Sequence, residues 1–290
     1  MQPSEMRLAD ISPDEDYALS WPRLPERYHD ADEKYPGLPL LVVDVRGRIV
    51  CGHDYFLLLR QRGETACRAL RVDLAPADAL LLNYNLSDRL FGLNLYEKLL
   101  FVKKISPLLA DEEIRRRAGL GFALDAPLRQ ALDVLLSGPF RPVLAAGRLG
   151  LKAALQLAGM EEGDRLALLA VFQSCGFSES QQGLVLQMLE EIAFREKKKP
   201  AALLAAAGLD PLLAGEMPQK RFLAALHALR YPAWEQRERE WRAWEKKAAA
   251  GARLALAHAP YFAREEVQVT LTVADRGRAE KLLAGLKKIL

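Results

Sequence analysis

The stretch Leu38–Val72, LPLLVVDVRGRIVCGHDYFLLLRQRGETACRALRV, decides the architecture. Leu38–Val45 is short, apolar and β-branched, which suits a buried strand. Arg46-Gly47-Arg48 turns the chain, and Ile49-Val50-Cys51 returns as a second strand. Gly52 then opens a helix over Asp54–Arg62 with apolar Tyr55, Phe56, Leu58 and Leu59, and Gly63 closes it. Ala69–Val72 reads as another short strand, and Ala77–Leu82 follows Pro76 as a helix-prone stretch. Strands and helices joined by such short connections predict a small α/β module.

Upstream, residues 1–36 are Pro-rich and acidic (Asp14, Glu15, Asp16, Asp30, Asp32, Glu33) and predict an extended or poorly ordered lead-in. Downstream, almost everything from Leu95 reads as helix. The predicted helices are Leu95–Leu109, Asp111–Ala118, Leu128–Leu136, Arg141–Ala146, Leu149–Ala158, Gly163–Cys175, Ser178–Arg195 and Ala201–Ala207, punctuated by Gly and Pro. Ser178 and Gln181 fit a capping box, and Lys197-Lys198-Lys199 suits the negative end of the same helix. A third segment starts near Pro218. Its Trp234, Trp241 and Trp244 share one helical face, either as a core stripe or as a stacking surface for nucleic acid. The chain closes with an alternating strand, Glu266–Val273, and an amphipathic helix, Arg276–Leu290. A strand and a helix have too little core to stand alone, so they pack on the rest or pair with a second copy. The predicted fold class is α+β: a lead-in over 1–36, an α/β module over 37–96, a helical module over 97–208 and a C-terminal segment over 218–290.

The chain of 290 residues is 50% hydrophobic and 27% charged, the balance of a folded protein. No apolar run reaches the roughly 18 residues that cross a bilayer. The N-terminus lacks the basic start and apolar core of a signal peptide, so the expected location is the cytoplasm, with no membrane partner. Cys51, Cys67 and Cys175 are far apart and form no CxxC pair, which argues against a disulfide framework or a cysteine zinc site. His29, His53, His227 and His258 show no HxxxH spacing, so no metal site is expected. No Ser-His-Asp set, P-loop or paired-carboxylate spacing stands out, and no catalytic residue is assigned.

A net charge of +3 does not by itself point to nucleic acid, but its distribution does. Lys98–Lys152 carries Lys103, Lys104, Arg115, Arg116, Arg117, Arg129, Arg141 and Arg148 against few acids. Local positive charge attracts phosphates whatever the total; the alternative is a solvated helical surface. Within this region Asp111–Leu136 is a helix-turn-helix candidate: DEEIRRRA, a break at Gly119-Leu120-Gly121, then PLRQALDVLL. A recognition helix enters the major groove while its predecessor holds it against the phosphates. Arg115, Arg116 and Arg117 suit backbone contacts, and Arg129 and Gln130 suit base edges. The loop from Gly119 to Ala126 is longer than the usual turn of such motifs.

From Leu38 onward the chain resembles the ParB-type chromosome and plasmid partition proteins. Gly52-His53-Asp54-Tyr55 occupies the place of that family's Gly-Glu-Arg-Arg-type box, Gly63 closes the following helix, and Arg68–Val72 is the next strand. Asn85-Leu86-Ser87-Asp88 resembles an Asn-x-x-Arg motif, and Asn94-Leu95-Tyr96-Glu97 resembles Asn-Pro-x-Glu. Arg141–Ala158 and Phe172–Val185 resemble later helical segments, and the terminal strand and helix resemble a dimerisation module. The resemblance implies double-stranded DNA and a second copy of the chain as partners, with a ParA-type ATPase as a further one. It also implies nucleoid association and a CTP and Mg²⁺ site, carried over here onto Gly52, His53, Asn85, Arg89 and Glu97.

The departures bear on that last implication. Asp54 and Tyr55 stand where the family's arginines clamp phosphates, and a carboxylate there repels a triphosphate. Tyr84 replaces a glutamate and Asp88 an arginine, with Arg89 one residue away. The expectation is that nucleotide-driven clamp closure is lost or takes an altered ligand. Sulfiredoxin-type enzymes share such a module and place a Cys between the box Gly and His. Here the order is Cys51-Gly52-His53, which reads as a buried structural cysteine. The main reading is a sequence-specific DNA-binding protein of ParB type. The alternatives are an adaptor on the same fold that binds no DNA, and an enzyme of phosphotransfer or sulfiredoxin type.

Overall fold

The computed structural model describes residues 3–21, 28, 41–206, 208, 216–248, 254–259, 266–271 and 280. Residues 38–40 of the first expected strand, the acidic Asp30, Asp32 and Glu33, and the expected helix over 276–290 (Glu280 apart) lie outside the described residues. The fold is α+β, and the chain divides into two compact units, Met1–Gln219 and Lys220–Leu290. Residues 37–96 and 97–208, expected as separate modules, lie together in the first.

Its sheet has the order β1-β4-β2-β3, with β1 over Ser4–Arg7, β2 over Leu41–Asp44, β3 over Ile49–Cys51 and β4 over Ala66–Val72. β2 runs parallel to β4, and the other two pairings are antiparallel. β2 and β3 are buried throughout but for Asp44, as expected of strands that are apolar at every position. The turn between them needs Gly47: its φ is +80°, and a Cβ there would meet the Asp10 carbonyl oxygen at 2.5 Å. Helix α1, His53–Gln61, packs on β2 and closes the core with Tyr55, Phe56, Leu58 and Leu59.

Residues 3–21, the described part of the expected extended or poorly ordered lead-in apart from Tyr28, are ordered against the sheet. Residues 4–7 pair with β4, and Ser12 pairs with the turn and start of β3 through Ser12 N–H to the Gly47 carbonyl (3.0 Å) and Ile49 N–H to the Ser12 carbonyl (2.9 Å). The segment therefore spans the sheet from one edge to the other. Acidic composition misleads here because Met6, Leu8, Ile11, Tyr17, Ala18 and Leu19 are buried between the acids, enough apolar area to offset ordering the backbone.

α2 runs over Pro76–Phe91, far beyond the expected end at Leu82, and ends at Gly92 with φ +69°. Asn85 and Ser87 are weak helix formers, but they are tolerated because Ala79, Leu80, Leu81, Asn83 and Tyr84 bury the helix's inner side. α3, Leu95–Ile105, starts from a capping box in which Asn94 and Glu97 each accept from the other's backbone N–H.

The remaining helices of this unit are α4 (Asp111–Ala118), α5 (Ala126–Leu135), α6 (Arg141–Ala145), α7 (Leu151–Ala158), α8 (Glu162–Ser174), α9 (Glu179–Glu196) and α10 (Pro200–Ala206). They follow the expected set to within a few residues. The Ser178–Gln181 capping box opens α9 as expected. Buried Gln182 then ties α9 to the loops around it, accepting from Gly150 N–H (2.9 Å) and donating to the Arg148 and Phe177 carbonyls (3.2 and 3.0 Å).

In the second unit α12, Pro232–Ala248, follows α11, Pro218–Arg230. The expected strand is observed as β6, Val267–Leu271, and it is not alone: β5, Leu254–His258, pairs with it antiparallel. Trp241 lies tilted against Trp244 (5.0 Å between centroids) and edge-on against His258 (4.9 Å), whose imidazole meets the Glu238 carboxylate at 3.1 Å. Trp234 and Trp241 thus lie against histidines of the unit, while Trp244 is exposed.

Candidate functional site

Two places in the first unit collect the residues singled out above. The first is the cleft beneath the box. Gly52, at φ +93°, caps α1 and turns His53 and Asp54 inward, where both are buried. Asn83, Ser87 and Phe91 line the facing side of α2, and Asn94 and Glu97 stand at the start of α3.

What fills this cleft is the chain itself. His53 Nε2 donates to the Asp14 carbonyl (2.9 Å), and Asn83 Nδ2 donates to the Tyr17 carbonyl (2.6 Å). The Ser20 hydroxyl donates to Asp54 (3.0 Å). Trp21 N–H donates to Glu97 Oε1 (2.9 Å), while the Trp21 carbonyl accepts from Asn94 Nδ2 (3.0 Å). Lys104 Nζ donates to the Ala18 carbonyl (2.7 Å) and to that of Glu15. The Trp21 ring lies against Tyr96 (5.5 Å), and the Arg141 guanidinium covers both rings at 5.4 and 5.5 Å.

This geometry redistributes the expected nucleotide residues. Gly52 and His53 do line the cleft. Glu97 is fully buried, but its two oxygens are taken by the Trp21 and Asn94 amides. Asn85 and Arg89 do not face it: both are exposed, and Asn85 donates to the Arg117 carbonyl (3.4 Å), at the end of α4. Residues 83, 87 and 91 share one face of α2, and 85 and 89 lie two positions, about 200°, away. The inward asparagine is Asn83, and its helical spacing to Ser87 and Phe91 was the signal that could have found it.

A nucleoside triphosphate does not fit this arrangement. The space left among Leu19, His53, Asp54, Asn83 and Phe91 is about 20 Å³, room for a single water, whereas small-molecule sites run to about 300 Å³ or more. The two carboxylates that would meet phosphates are engaged by donors of the chain. Among the described residues no group of three or more His, Cys, Asp or Glu could hold a metal ion.

Cys51 lies beside the cleft with its sulfur 3.9 Å from the Ser87 hydroxyl. Burial pushes its thiol up to about 11, against the smaller opposing pull of the Ser87 and Gly52 contacts. A thiol so placed is protonated at neutral pH and is a poor nucleophile, as the structural reading expected. Burial, with the Asp88 charge added, likewise pushes Tyr84 up to about 12; its hydroxyl finds no partner among the described residues, and its ring stacks on Phe101 at 4.2 Å.

The second place is the hairpin of α4 and α5. α4 carries Asp111, Glu112 and Glu113 in its first turn and Arg115, Arg116 and Arg117 in its last, the distribution that its dipole favours. Buried Ile114 and Ala118 fix the helix against α2 and leave all three arginines exposed. Arg117 reaches Asp78 (2.6 Å) and Glu113 (3.4 Å), and Arg116 approaches Glu113 at 3.8 Å.

Gly119 (φ +60°) ends α4, Leu120 and Leu124 anchor the long turn, and Asp125 caps α5 by accepting from Leu128 N–H at 3.0 Å. α5 packs on α3 and α7 and exposes Gln130. Arg129, expected at base edges, is half-buried and engaged by Asp111 and the Ser106 hydroxyl, so it ties α5 to the start of α4. Asp133 pairs with Lys103 at 2.8 Å on the same exposed side. Of the basic run, Lys104 and Arg141 turn inward, while Arg148 and Lys152 are exposed.

No protein-family profile and no curated protein sequence matches this chain. Among solved structures, one described as the C2221 form of a Pnob8-like ParB-N domain is similar over 79% of this chain and 97% of its own length, at 14% identity and a TM-score of 0.39. No described helix is long and apolar enough to cross a membrane.

Proposed function

We propose that the chain is a ParB-like, sequence-specific DNA-binding protein, with α4 and α5 as its helix-turn-helix. The observation that carries this reading is the exposed row Arg115, Arg116 and Arg117 on a helix whose next neighbour in sequence presents Gln130 to solvent. Arginines so placed neutralise phosphates, and a glutamine on the following helix can pair with adenine. Their present partners are exposed carboxylates, and such surface pairs are weak enough for phosphate to displace. In this proposal residues 37–96 form a ParB-like module, 97–208 the DNA-binding module, and 218–290 a dimerisation segment. Two linked half-sites then multiply the affinity of one short helix. Nucleoid association, and action beside a ParA-type ATPase in partition or as a related regulator, belong to the same proposal.

The test is retention of genomic fragments by the full chain across a salt series, followed by sequencing of the bound DNA. A defined site should emerge, with affinity falling steeply as salt rises. Replacing Arg115, Arg116 and Arg117 with Ala should reduce the slope of log K against log salt by up to about 3, one per lost phosphate contact. The substitution of exposed arginines should leave the fold intact. Absence of DNA retention at low salt overturns the proposal and favours the adaptor reading. That second reading draws on one observation: Arg117 and Arg129 are both held by carboxylates of the chain.

A further inference from the structure

We propose that residues 14–21 are a built-in ligand that holds the cleft shut and locks α1 and α2 to α3 and α6 without any diffusible effector. The inference does not depend on DNA binding. The segment touches each element around the cleft: Asp14 and Ser20 meet α1, Tyr17 meets α2, and Trp21 meets the first turn of α3. Arg141 at the start of α6 then clamps the Trp21 ring from outside. One short strap therefore joins four helices.

Three features make it a ligand and not a passive covering. Its contacts are mutual and complementary: buried carboxylates face its N–H and O–H donors, while His53, Asn83, Asn94 and Lys104 donate to its carbonyls. The space left over, about 20 Å³, admits no second occupant. Finally, it is tethered upstream by β1 and the Ser12 pairing, so it meets the cleft at a high effective concentration that a free molecule must overcome. A phosphate-bearing competitor would also have to approach Asp54 and Glu97 once their donors had left.

Hydrogen exchange read by mass spectrometry on the full chain tests this, with and without millimolar Mg·CTP. The expected result is slow exchange in residues 14–21, unchanged by the nucleotide. Trp21→Ala should speed exchange by at least ~10-fold in both residues 14–21 and the start of α3, with α9 unaffected. Lys104→Ala, which removes the donor to the Glu15 and Ala18 carbonyls, should do the same to a smaller degree and stands in if Trp21→Ala fails to fold. Three results would each overturn the proposal. The strap could exchange as fast as an exposed loop. Mg·CTP could speed its exchange while slowing that of α1, which would make it a displaceable gate. The variants could loosen the strap without touching α3, which would leave no lock.

Discussion

The cleft and the arginine hairpin lie in one compact unit yet solve opposite problems. In the cleft, His53, Asp54, Asn83 and Glu97 are buried, and each meets a group of the chain's own N-terminal segment. On the hairpin, Arg115, Arg116 and Gln130 stand in solvent, and the ion pairs around them are exposed. Buried polar groups are costly unless matched, so a closed network commits the cleft to one occupant. Exposed charges cost little to leave loosely paired, so the hairpin keeps its capacity for an external anion. The part of the molecule richest in polar contacts is therefore the part least available for binding.

The sharpest way to break this comparison is Glu97→Ala. It strands two backbone donors, Trp21 and Asn94 N–H, in a place where Glu97 itself is fully buried. At about 1–3 kcal/mol for each of the two unsatisfied groups, the loss should be about 2–6 kcal/mol in a urea titration. A change below about 1 kcal/mol would mean that the cleft is open to water and no more committed than the hairpin.

A pH series gives the next effect. Cys51 ionises at its ordinary value of 9.0 when unfolded but only near about 11 when folded. The folded state then holds the proton more tightly, so stability is lost as pH rises above the ordinary value, at about 1.4 kcal/mol per unit until the folded thiol ionises. Comparing the chain with Cys51→Ala over that range isolates the contribution; identical slopes would show a thiol that water reaches. The smallest effect separates the two faces of α2. Asn83→Ala, which loses the bond to the Tyr17 carbonyl and the one accepted from Ser87, should cost about 1–2 kcal/mol. Asn85→Ala, on the exposed face, should stay within about 0.5 kcal/mol. Equal costs would erase the distinction between inner and outer asparagine.

Much of the fold was legible in advance because its signals are local. The α4 boundaries, the Ser178–Gln181 box and the apolar runs of β2 and β3 each depend on residues within one turn or one strand. The extent of α2 was not legible, because Asn85 and Ser87 carry turn-favouring side chains that burial of Leu80, Leu81 and Tyr84 overrides. β5 escaped for a related reason: LALAH has no β-branched residue, and becomes a strand by pairing with β6. Of the candidate DNA-binding residues, Arg115, Arg116 and Arg117 of α4 are exposed, whereas the pairing of Arg129 with Asp111 and Ser106 follows from how α5 docks.

The sequence alone was enough for β2 and β3, for most helices of the first unit, for the cap that starts α9, and for the sign of the charge on the last turn of α4. These are set by neighbours three or four positions apart, whose side chains announce them. Only the tertiary structure decided that the acidic N-terminal stretch is an occupant and not a tail, and that Asn83 and not Asn85 faces inward. The strap is held mainly through its backbone: the carbonyls of Asp14, Tyr17, Ala18 and Trp21, and the Trp21 amide. Every residue type offers the carbonyl and all but proline the N–H, so recognition made through them leaves little mark on the sequence until the chain has folded around it.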